Sequence, residues 1–173
     1  MPNVTKFAKA LFALHQVGCM TDPSCRSAVA MFVRQATEPP KHWHLTTNYR
    51  SKRAAEALVE AKLYSPAQYH RWCSQNLRHE HVVPISVVID LLIVEPSVTE
   101  EFIAQTLRTY GLRATIHREE DALLNANGFA TRMPASFHSL GAETYRDPLA
   151  RYKAVGLYEC LVERVGDSWF IPK

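Results

Sequence analysis

A helix-rich α+β fold in one domain spanning residues 1–173 is predicted by three observations. Apolar residues recur at helical spacing in most segments, a few short runs alternate instead, and turn residues separate them without any linker, repeat or low-complexity tract. At 173 residues the chain is long enough to bury a core, and apolar and charged fractions of 47% and 21% are those of a globular protein rather than a disordered one.

The elements follow in order. Val4 to Val17 reads as a helix with Val4, Phe7, Ala8, Leu11, Phe12 and Leu14 on its apolar side, closed by Gly18. Asp22-Pro23 supplies an N-cap and a proline at the first helical position, so a second helix runs to about Gln35 and stops at Thr37-Glu38-Pro39-Pro40. Residues 1–40 are therefore expected to form a helical hairpin with a structural or docking role. "KHWHLTTNY", residues 41–49, alternates like a strand, and the helix after it opens with Arg50, Lys52 and Arg53. Basic residues oppose the dipole there, which either a phosphate partner or simple solvation explains. Ser65, Pro66 and Gln68 form a capping box for a further helix.

"NLRHEHVVPISVVIDLL", residues 76–92, is a short strand that stops at Pro84 and passes into an apolar helix. In the strand Leu77, His79 and His81 share one face, and Arg78, Glu80 and Val82 share the other. Ser97 and Glu100 suggest a capping box for a helix ending at Gly111. "LRATIH" is a strand and "REEDALLNANG" a helix. Asp147-Pro148 opens a helix with Leu149, Tyr152 and Val155 inward and Arg151 and Lys153 outward, and the tail reads as a β-hairpin turning at Gly166-Asp167.

Several classes are excluded or disfavoured by composition. The longest apolar stretch, Val82 to Val94, is too short to span a bilayer, and Lys6 and Lys9 interrupt any signal-peptide pattern, so a cytoplasmic location with no membrane partner is expected. Cys19, Cys25, Cys73 and Cys160 show no CxxC spacing and read as reduced thiols, with a structural zinc as the lesser alternative. A net charge of +3 permits nucleic-acid binding without arguing for it.

Chemistry concentrates at His79-Glu80-His81. A histidine held where a strand leaves the core suits a general base, and an adjacent carboxylate suits a divalent ion; a hydrogen-bonded strand end is the structural alternative. "HEHVVP" resembles the first motif of the HNH, or ββα-metal, nucleases, and "TIHREEDALLNANGFATRMP" resembles the strand and helix of their second half, giving a candidate core over residues 76–134. That resemblance implies Glu80 as first metal ligand, His81 as general base, and Asp121 as second ligand with Asn125 in reserve. The implied cofactor is Mg2+ or Mn2+, the partner nucleic acid, with DNA the expected substrate of an endonuclease. Arg78, Arg118, Arg132, Arg151 and Lys153 are the expected phosphate contacts. The sequence departs from that family in the helix, Val98 to Tyr110, that separates the two halves, and in lacking paired CxxC knuckles. The competing expectation is a non-catalytic phage or bacterial defence-related module that binds a nucleoprotein partner through the same arginines.

Overall fold

In the computed structural model, residues 4–38, 47–61, 65–165 and 168–169 are described. Helix α1, Val4–Gln16, buries Val4, Ala8 and Leu11 at the spacing of one helical face, and Gly18 ends it with φ +78°, a conformation that L side chains rarely adopt. The Asp22 carboxylate accepts from the Ser24 amide at 2.8 Å, but Pro23–Cys25 forms a 3₁₀ turn, so α2 begins only at Arg26 and runs Arg26–Thr37.

Strand β1, Tyr49–Ser51, leads directly into α3, Lys52–Ala61. Most of residues 41–49, including the histidines of the expected strand there, lie outside the described residues. Arg50 belongs to β1 and is buried, while Arg53 pairs with Glu119 at 2.5 Å, so these charges are tied into the fold. Helix α4, Pro66–Asn76, starts with the predicted Ser65–Gln68 capping box and runs into β2, Leu77–His81.

Helix α5, Ile85–Val94, follows Pro84, and α6, Glu100–Tyr110, is capped by Thr99, whose hydroxyl accepts from the Phe102 amide at 3.1 Å. Thr99 rather than Ser97 is the cap because the chain between them is extended at Thr99, where an N-cap must sit. Strand β3, Arg113–His117, then passes into α7, Arg118–Ala126, and the short helices α8, Ala135–His138, and α9, Ala150–Ala154, complete the helical set. Strands β4, Leu161–Val165, and β5, Ser168–Trp169, pair antiparallel; Gly166 and Asp167 of the expected turn lie outside the described residues.

The sheet order is β2-β3-β1-β4-β5, antiparallel except where β1 runs parallel to β3. One face is covered by Leu124 of α7 and Tyr152 of α9, packed on Ala114 and Ile116, and the other by Ala54, Leu58 and Cys73 against Leu77. Helices α1, α2, α5 and α6 form a separate layer around Leu11, Val33, Ile89, Ile103 and Leu107. An α+β architecture results, with strand, strand and helix in the order β2, β3, α7. No helix among the described residues is long and apolar enough to cross a membrane.

Candidate functional site

The pleat of β2 sends Glu80 and His81 to opposite faces, and each meets a different set of partners. Glu80 turns toward α9. One carboxylate oxygen accepts from Arg151 Nη2 at 2.8 Å and the other from the Tyr152 hydroxyl. Arg151, predicted to reach outward, is 2% exposed instead. Its Nε donates to the Val82 carbonyl at 2.8 Å, its Nη1 to the Phe129 carbonyl at 2.8 Å, and its Nη2 also to the His81 carbonyl. The inversion has a geometric cause: only Ala150–Ala154 is helical, Asp147 capping Leu149 in the turn before it, so the phase expected from a helix begun at Asp147 does not apply. Burial pushes the Glu80 carboxyl up from its ordinary value, against the pull of Arg151 and Tyr152.

His81 turns toward the end of α2. The Thr37 hydroxyl donates to the Val33 carbonyl at 3.0 Å, so it accepts from His81 Nε2 at 3.0 Å, while Arg113 Nη1 donates to Nδ1 at 3.1 Å. The ring is therefore neutral, with its proton on Nε2 and its one lone pair occupied. Burial and then the Arg113 charge drive its pKa down to about 2, and the same two causes bring His79 to about 3. Arg113 is itself held by Glu38. The N-terminal helical pair, expected to have a structural or docking role, thus brings Thr37 and Glu38 at its end to this site.

The remaining predicted residues disperse. Asp121 lies on the Glu80 side of the sheet, 3.8 Å from Arg78 Nε, and accepts from Asn125 at 3.3 Å. Arg78 also donates to the Ser74 and Leu77 carbonyls at 3.1 and 2.9 Å. Lys153 pairs with Asp147 at 2.7 Å, and Arg118 and Arg132 are exposed on separate segments. Glu80 and Asp121 do not make the donor set of a Mg2+ or Mn2+ site as they stand. Such an ion needs free carboxylate oxygens, whereas both of Glu80's are taken by proton donors, one of them cationic. Among the described residues no group of three or more His, Cys, Asp or Glu side chains is placed to hold a metal, which applies to the zinc alternative as well.

What the sequence reading did not find is a cleft of about 420 Å³ in front of this floor. One wall is the stripe Arg26, Ala30 and Arg34, four residues apart on α2. The other is the start of α5, from Pro84 to Ser86, joined to the loop beyond α7 by the Ser86 hydroxyl donating to the Thr131 carbonyl at 3.1 Å. Glu80, His81 and Arg151 form the floor. Arg26 makes an exposed pair with Asp90 at 3.0 Å. The Arg34 guanidinium has no carboxylate partner among the described residues, and its charge helps to depress the pKa of both His81 and Arg113. The arginine pair at i and i+8, with Ala30 between them, was present in the sequence, but nothing there shows which wall it faces. No protein-family model, curated protein or solved structure matches this chain.

Proposed function

We propose that this protein is a non-catalytic interaction module that grips nucleic-acid phosphate in the cleft between α2 and α5. The observation that carries the reading is the contrast between the cleft's floor and its rim. Glu80 and Arg151 are saturated by each other, by Tyr152 and by backbone carbonyls, and the His81 ring by Thr37 and Arg113, so none is free to move a proton or bind an ion. Arg34 stands at the mouth without an anionic partner among the described residues, and Arg26 shares only a solvent-exposed pair, which holds it weakly. A phosphate oxygen entering the cleft meets two guanidinium groups, Arg26 and Arg34, on one wall.

Binding of this kind is dominated by counterion release and falls steeply with salt. Fluorescence anisotropy of a labelled DNA duplex, repeated across a salt series, tests it: Arg26→Ala with Arg34→Ala weakens binding and lowers the salt slope by about 2, roughly one for each phosphate that is no longer neutralised. An unchanged slope sinks the proposal.

A second reading is favoured by the order β2, β3, α7 with Glu80 and Asp121 on the same side of the sheet. It makes the chain a divalent-metal-dependent endonuclease with His81 as base, and it requires Glu80 to leave Arg151 and His81 to leave Arg113. Plasmid nicking that depends on magnesium or manganese, and that disappears in His81→Ala and in Asp121→Ala, would select this reading over the first.

A further inference from the structure

From rim to depth the cleft between α2 and α5 changes in charge. At the rim Arg26 and Arg34 are exposed and lie about 12 Å apart along the helix axis, so a strand running along this wall brings a different phosphate to each. Between them Ala30, with its small side chain, leaves the space open toward the half-buried Ile85 and the buried Pro84 and Ile89 across the cleft. The floor adds no net charge, because Glu80 and Arg151 cancel in one ion pair and the His81 ring is neutral. A charged group is therefore drawn to the rim, and an uncharged, largely apolar one is favoured behind it. The wall facing Ala30 is fixed by the Ser86 hydroxyl, which ties it to the Thr131 carbonyl at 3.1 Å, so the space is formed before any ligand enters.

We infer that the cleft takes an unpaired nucleotide of a single strand, its flanking phosphates on Arg26 and Arg34 and its base turned inward against Ala30, Ile85 and Ile89. The inference rests on the phosphate-binding reading above and narrows it to single-stranded nucleic acid. In a duplex every base is stacked and paired, so the rim arginines reach phosphate while the aliphatic depth stays wet. Turning a paired base out costs its stacking and its pairing, whereas an unpaired base pays little and gains burial. Size agrees: about 420 Å³ lies within the roughly 300–1,000 Å³ of pockets that enclose small ligands, enough for one nucleoside.

Fluorescence anisotropy of the full-length protein compares a short mixed-sequence DNA strand, the same strand in RNA, the DNA duplex, and an abasic strand that keeps the phosphates and lacks the bases. The DNA or the RNA strand is expected to bind about tenfold more tightly than the duplex and about fivefold more tightly than the abasic strand. Ala30→Leu, checked for native circular dichroism, puts a branched side chain into the space for the base. It should bring the base-bearing strand to within about twofold of the abasic one. Should that variant fail to fold, the abasic comparison on the wild type decides alone. A duplex or an abasic strand bound as tightly as the base-bearing strands, or full affinity for them in folded Ala30→Leu, overturns the inference. Such a result leaves the phosphate reading standing as long as Arg26→Ala with Arg34→Ala still lowers the salt slope. A slope that the double variant leaves unchanged for every probe sinks that reading and this inference together.

Discussion

Arg151 and Arg34 line one cleft and have opposite surroundings. Arg151 donates to a carboxylate and three backbone carbonyls drawn from distant segments, whereas Arg34 meets no anion among the described residues of its own chain. A cation sunk below the surface is costly to hold unless it is paired and hydrogen-bonded, so its bonds report on architecture. A cation left unsaturated at the rim has no such role, and its placement points outward. By that criterion the residues most suggestive of chemistry in this sequence, Glu80 and His81, belong to the architectural half.

The largest expected effect attacks that half directly. Arg151→Met leaves the Glu80 charge buried without its counter-ion and three carbonyls without their donor, and should cost about 3–5 kcal/mol in urea denaturation. Adding Glu80→Gln should recover part of the loss, because the partner charge disappears with it. A stability within about 0.5 kcal/mol of wild type for Arg151→Met alone would erase the contrast between floor and rim.

Acid should act on the same floor. His79 and His81 have folded pKa values lowered to about 3 and about 2, so both remain neutral in the fold while the unfolded chain takes up protons below about pH 6.5. Their contribution is complete above that pH and is lost as pH falls toward the folded values. Between pH 7 and 5 the loss is about 2 kcal/mol for each histidine. Denaturation at a series of pH values should show the decline, and His81→Gln should flatten it by about one proton; a flat profile in the wild type would mean that the rings are not held as described.

Gly111 bears on the floor at one remove. A Cβ there would overlap the Thr37 methyl and the Leu107 carbonyl oxygen, so Gly111→Ala displaces the residue that fixes His81 Nε2. A loss of about 1–3 kcal/mol is expected, read as a shift in the urea midpoint. The smallest effect on stability belongs to Arg34→Ala, within about 0.5 kcal/mol by the same measurement. A larger loss would show that Arg34 holds the fold together and would remove the distinction between rim and floor.

Much of this was legible in the sequence where a rule acts over a few residues. The spacing of Val4, Ala8 and Leu11 and the Gly18 stop define the first helix, Asp22-Pro23 marks the 3₁₀ turn that leads into the second, and the alternation of β2 alone places Glu80 and His81 on opposite faces. The site was not legible because its partners come from elsewhere. Arg151 reads as solvated on a helix begun at Asp147, whereas only the five residues Ala150–Ala154 are helical, and the Val82, His81 and Phe129 carbonyls it satisfies lie 69, 70 and 22 residues away in the chain. Arg113 reads as an ordinary strand arginine until β3 is set beside β2, where it stands opposite His81.

The reach of Arg151 also orders events during synthesis on the ribosome. Glu80 and the end of β2 emerge some 70 residues before the side chain that completes them, and β1 likewise waits for β4, since Arg50 stands opposite Val162. Contacts of such separation close late and slowly. A nascent chain cut short before residue 150 keeps a carboxylate that can neither be buried nor paired, and is therefore the species that chaperones and proteases are expected to intercept.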